Sequence, residues 1–136
     1  MPNLATLLTY NAHQPDPDVQ TLTGNRVKGT GYYGRSDGLH TVQYKITGFK
    51  GTITIQGTLV ELPSDEDWFD LTLENPGEFT VDTTGLVAKS ADIENIEYTS
   101  TTTENRTYNF TGNVTWVRAK ITDWTHGTVD FINLRT

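Results

Sequence analysis

The sequence contains no cysteine. That excludes a disulfide scaffold, a thiolate zinc site and every cysteine nucleophile. Helix formers are thin: there is one methionine, few alanines and only scattered leucines. No apolar run approaches the length of about 20 residues that a membrane-spanning helix needs. The start, Met1-Pro2-Asn3-Leu4-Ala5-Thr6-Leu7-Leu8, lacks the positive charge and the apolar length of a signal peptide, so synthesis in the cytoplasm is expected. Basic runs are also missing. The ten Lys and Arg residues are scattered through a chain of net charge −7 and pI near 4.7. A phosphate backbone is repelled by such a chain, so neither nucleic acid nor membrane is expected as a partner.

What is present points to strands. Close to one residue in five is threonine, and glycine is plentiful. Threonine, the other β-branched residues and the aromatics suit a pleated, half-buried surface. The length of 136 residues fits one domain able to bury a core without staples.

Residues 1–25 do not alternate. Leu4, Leu7 and Leu8 suit a short helical turn, and Pro15-Asp16-Pro17-Asp18 forces an extended or turning path. We read 1–25 as an N-terminal arm able to dock on a neighbour, and 26–136 as the folded domain. Residues 26–35 suggest a glycine-rich strand. From His40 to Thr47 alternation is clean, with Val42, Tyr44 and Ile46 on one face; Ile53 and Ile55 repeat it across Gly48-Phe49-Lys50-Gly51. This predicts an antiparallel hairpin over 41–59. A loop follows at Pro63–Asp67, then strands at 68–73 and 78–82 and a long connection over 86–104 with weak strand character around 94–98. A second pair is predicted over 106–134, with Val117, Ala119 and Ile121 on one face, Trp116, Arg118 and Lys120 on the other, and a turn at Asp123–Gly127. Seven or eight short strands of this kind predict an all-β fold, an antiparallel β-sandwich with an extended N-terminal arm.

Chemical motifs are few. Gly34-Arg35-Ser36-Asp37-Gly38 matches G-x-S-x-G, but a nucleophile elbow leads into a helix and here an alternating strand follows. A small hydrolase built on Ser36 is therefore the third choice. His13, His40 and His126 share no metal-ligand spacing, with His40 placed at a turn or strand edge. Asp65, Glu66, Asp67 and Asp70 lack the order of a calcium loop. No catalytic residue, metal or cofactor is expected. Asn105, Asn109 and Asn113 begin N-x-[ST] triplets, which a threonine-rich chain produces by chance. The residues expected to make contacts are Leu4, Leu7 and Leu8 in the arm, with Trp116, Arg118 and Trp124 as anchors.

The segments Gly31–Val42, Gly51–Leu59 with Asp67-Trp68-Phe69, and Phe110–Ala119 resemble small virion structural proteins of tailed bacteriophages, those of marine and cyanobacterial hosts in particular. The closing strands are also similar to galactose-binding-like sandwiches, or more broadly to a jelly-roll. The resemblance implies a non-enzymatic virion component: a capsid decoration or other accessory protein that binds other virion proteins, as a homo-oligomer or held in a lattice. A baseplate, neck or tail component is the alternative position. A carbohydrate-binding module, with Trp116 or Trp124 stacked on a glycan, is the alternative function.

Overall fold

The computed structural model describes residues 4–15, 18–34, 38–74, 79–82, 85–88 and 95–136, with the strands at 79–82 and 85–88 given as backbone. The described chain is all-β and antiparallel. Its strands are β1 (Leu4–Leu8), β2 (Asn11–Ala12), β3 (Gln20–Thr23), β4 (Val27–Lys28), β5 (Leu39–Thr58), β6 (Phe69–Asp70), β7 (Phe79–Asp82), β8 (Gly85–Ala88), β9 (Asn95–Thr111) and β10 (Trp116–Arg135). Two short 3-10 turns, at Thr30–Tyr33 and Asp65–Asp67, interrupt them. Strands β7 and β8 form a separate two-stranded pair, and the other eight make one open sheet.

Three long strands carry the sheet. Strand β5 lies between β9 and β10 and pairs with both along most of its 20 residues. Neither predicted hairpin forms. Gly48–Gly51 does not return the chain on itself; it is an irregularity inside β5, where the register with both neighbours shifts. Asp123–Gly127 is the matching irregularity inside β10. Gly48, Asp123 and Gly127 have φ values of 58°, 52° and 83°, the backbone state common to tight turns and bulges. The region expected to be a long connection with weak strand character around 94–98 contributes β8 and the first half of β9.

These bulges bend the three strands at one level, and the sheet doubles over. A straight path from Thr41 to Gln56 would cover about 50 Å at the usual strand rise. Yet Asp70 pairs with Gln56, while Glu74 bridges to Asn109, the partner of Thr41. Four residues of chain reach at most about 14 Å, so the two ends of β5 lie close together. The bonds of Thr115 N–H to the Thr58 carbonyl (2.8 Å) and of Thr30 N–H to His40 (3.1 Å) hold the same end shut. Val42, Tyr44 and Ile46 from one half of β5 and Ile53 and Ile55 from the other thus face one core, with Val117, Ala119, Ile121, Val129, Ile132 and Leu134 of β10. Leu71 and Leu73 join them. The two layers are halves of one doubled sheet, an order that does not by itself identify a jelly-roll or galactose-binding-like sandwich.

The described part of residues 1–25 is built into this sheet. Strands β1 to β4 run antiparallel along the outer edge of β10, from Leu4 opposite Arg135 to Lys28 opposite Trp116. The short helical turn expected at Leu4–Leu8 is a strand. Leu7 and Leu8 are adjacent in sequence and both buried, because the pairing of β1 shifts between Thr6 and Leu8 and turns both inward. The expected boundary at residue 25 falls between β3 and β4, which pair with the same strand. The described residues 26–34 give β4 and a 3-10 turn instead of a continuous strand.

Candidate functional site

The outer face of the closed end of the sheet collects the exposed aromatic and cationic side chains. Lys28, Trp116 and Thr58 are cross-strand neighbours, so their side chains share one face. The 3-10 turn at Thr30–Tyr33 is clipped on beside them by Gly29 N–H to the Thr115 carbonyl and Gly31 N–H to the Val114 carbonyl, both 2.9 Å. Gly31 is needed there, since a Cβ would lie 2.3 Å from the Asn113 carbonyl oxygen. The clip sets the Tyr32 ring 5.2 Å from Trp116, with Tyr33 edge-on to Tyr32 at 5.7 Å. Arg26 lies 4.4 Å over the Trp116 ring and the Lys28 ammonium 4.5 Å over Tyr32. Such cation–ring contacts contribute roughly 0.5–1 kcal/mol each at exposed sites and fix where the charges stand.

Residues 59–68 fold back over the same face. The Trp116 indole N–H donates to the Glu61 carbonyl (2.9 Å), and the Thr115 hydroxyl to the Leu59 carbonyl (3.2 Å). The turn at Asp65–Asp67 is tied by the Asp67 carboxylate, which accepts from Ser64 N–H at 2.8 Å. Arg118 is covered by this loop: its guanidinium lies 4.3 Å over Trp68 and donates to Gln56 Oε1 at 2.8 Å. Gln56 in turn donates to Asp70 at 3.0 Å, so a polar row crosses β10, β5 and β6. Asp65 reaches Arg118 at 3.4 Å but is 99% exposed, so this ion pair contributes little. Leu59, Val60, Leu62, Phe69, Tyr32 and Tyr33 all remain exposed at this end. An open groove of about 490 Å³ runs between Gly31, Tyr32, Leu59, Glu61 and Thr115.

The six residues expected to make contacts therefore separate. Trp116 and Arg118 meet on this face. Leu4 is exposed but stands opposite Arg135, on the other half of the doubled sheet. Leu7 and Leu8 belong to the core of their own chain. Trp124 is buried in the bend, against Phe49 at 6.2 Å and edge-on to His13 at 5.7 Å, its indole N–H donating to the His126 carbonyl. Leu59, the last residue of the predicted hairpin and expected on its apolar face, instead lies past the end of β5 and is exposed, while Tyr32, Leu62 and Trp68 are additions that the structure makes to this face. The signal available for Leu62 was the apolar run Leu59-Val60-Glu61-Leu62, which continues past the end of the predicted hairpin.

Two polar clusters lie elsewhere. His40, expected at an edge, is fully buried and stacked on Phe110 at 4.3 Å. Its Nε2 accepts from Thr30 N–H, and Nδ1 contacts the Gly38 carbonyl at 2.9 Å, so the imidazole is neutral with its proton on Nδ1. The second is a relay from the core outward. The Tyr44 and Tyr98 hydroxyls share a short hydrogen bond, and Tyr98 donates to Glu104 at 2.8 Å. A carboxylate only accepts, so Tyr44 must donate to Tyr98. Burial, reinforced by Tyr98, holds the Tyr44 phenol far above the usual tyrosine range; burial also raises Tyr98.

Ser36 and its neighbours Arg35 and Asp37 lie outside the described residues, as do Asp16 and Pro17 of the proline-rich segment. The chain enters β5 at Leu39, directly after the G-x-S-x-G motif, where a nucleophile elbow would enter a helix. Comparison with family models finds no match to this chain, and comparison with curated proteins finds none either.

Proposed function

We propose that this chain is a non-enzymatic structural component of a tailed-bacteriophage virion, a small capsid decoration or other accessory protein that binds neighbouring virion proteins. The observation that carries the proposal is the face built from half-buried Trp116 with the exposed Tyr32, Leu59, Val60 and Leu62. Apolar and aromatic side chains gathered at one end, with fixed cations around them, are the ingredients of an interface with a few energetic anchors. The sequence resemblance supplies the virion; the face supplies the means of attachment. The surface for docking is thus the closed end of the sheet, with the N-terminal segment serving as an edge strand.

A carbohydrate-binding module has less support. Trp124 is buried, and the Trp116 ring already carries Arg26 and Tyr32.

The experiment is quantitative mass spectrometry of purified particles from the phage encoding this chain. The wild-type protein is expected in the particle at fixed copy number, and Leu62→Glu is expected to lower its occupancy at least several-fold. Absence of the wild-type chain from particles would overturn the proposal. Undiminished occupancy of the variant would remove the face from it. Cross-linking of the same particles separates a capsid position from a baseplate, neck or tail position.

A further inference from the structure

We infer that the partner on the Trp116 face is a second copy of this chain, docked about a two-fold axis. The inference rests on the reading of this face as an interface and adds the identity of what covers it. The face carries both signs of charge in separate strips. On the β4 and β10 side stand Arg26, Lys28 and Lys120; among the described residues none of them has a carboxylate within 4.0 Å. Arg26 and Lys28 are instead held in place over Trp116 and Tyr32. On the opposite side of Trp116, the loop 59–68 presents Glu61, Asp65 and Glu66, all exposed. Leu59, Val60 and Leu62 lie along the same loop, and the Leu62 side chain is 84% exposed.

An isologous contact uses each surface patch twice. A two-fold axis between the two strips, beside Trp116, lays the acidic loop of each copy on the cationic strip of the other, and each Leu62 side chain is taken out of water by the facing copy. The chain has ten Lys and Arg against 17 Asp and Glu, so unpaired cations gathered on one face call for a negatively charged partner. The chain's own loop supplies it, beside the apolar residues that must be covered at the same time. A nucleic acid fits less well, because the rings that would stack on bases are already capped by cations.

The test is sedimentation equilibrium of the full chain at physiological salt, with near-ultraviolet circular dichroism confirming the fold of each variant. The wild type is expected to be a dimer whose dissociation constant rises with salt. Arg26→Glu with Lys28→Glu, and separately Glu61→Lys with Glu66→Lys, are each expected to weaken it by at least roughly ten-fold. Mixed in equal amounts, the two double variants are expected to recover the affinity as a heterodimer. A wild-type chain that stays monomeric at high micromolar concentration overturns the inference, as does a mixture that fails to recover. If the chain is monomeric while Leu62→Glu still loses particle occupancy, the face binds a different virion protein and the proposed function stands. If a single-stranded oligonucleotide binds, and Arg26→Glu with Lys28→Glu abolishes that binding, the cationic strip belongs to nucleic acid and the dimer is overturned.

Discussion

Gly127 sits against Gly48 across the bend of the doubled sheet, so closely that a Cβ on Gly127 would lie 2.1 Å from the Gly48 carbonyl oxygen. Both residues have positive φ, but only Gly127 is also crowded by backbone; nothing lies within 4 Å of a Cβ at Gly48. The pair separates two costs. Gly48→Ala is expected to lose only the conformational term, about 1–2 kcal/mol. Gly127→Ala must also push two strands apart and is expected to lose at least about 3 kcal/mol. Urea unfolding of the two variants beside the wild type checks the order.

The tyrosine relay has a direction, and its members are unequal. Tyr44→Phe removes a donor and leaves Tyr98 still bonded to Glu104, so a loss near 1 kcal/mol is expected. Tyr98→Phe strands the buried Tyr44 hydroxyl and should cost more, about 1–3 kcal/mol. Thermal denaturation of both variants reads the difference.

The same two phenols make a statement about alkali. Their folded-state pKa values lie above the unfolded value of 10.0, so the folded state favours the protonated form. Their contribution is fully present below pH 10 and is lost as pH climbs above it. Absorbance near 295 nm should therefore show two of the six tyrosines ionising only as the protein unfolds. Early ionisation of all six in folded protein would contradict the relay.

Leu7 and Leu4 discriminate an edge strand from a detachable arm. Leu7→Ala should cost about 2–5 kcal/mol, as a buried leucine does. Leu4→Ala, on an exposed side chain, should stay within about 0.5 kcal/mol. Deleting residues 1–20 removes β1, β2 and the first residue of β3 and should lower stability severely. A deletion as stable as the full chain in chemical denaturation would fit a detachable arm and not an edge strand.

His40 should tolerate replacement poorly for a reason other than volume. His40→Phe keeps a ring beside Phe110 but leaves Thr30 N–H without its acceptor in a buried site. A loss of about 1–3 kcal/mol is expected, read by calorimetry.

Strand content and the inward faces were legible in the sequence, because alternation is a local signal. Val42, Tyr44, Ile46, Ile53, Ile55, Val117, Ala119 and Ile121 are all buried as their spacing requires. Pairing was not legible. Gly48 and Gly127 mark a change of backbone hand, and a turn and a bulge use the same one. Which of them forms is decided by a ladder between residues far apart in sequence, and β5 came to lie between the two strands expected to pair with each other. Leu7 and Leu8 read as arm residues for a neighbour and not as core, because a bulge breaks the period that would mark them as inward. At the candidate face, Trp116 and Arg118 could be named from alternation on β10. Tyr32 and Leu62 could not, because a 3-10 turn and a loop carry them there and neither has a period.

Strand β10 pairs with β1, β2, β3, β4 and β5, all of which precede it in the chain. During synthesis its partners leave the ribosome first and wait with open edges, the state in which strands join to the wrong neighbour. Among the described strands, β5 with β6 and β9, and β7 with β8, can pair before β10 arrives. A ribosome stalled before Trp116 would release a chain whose first four strands have nothing to hold them, so quality control has a clear mark by which to know an unfinished copy.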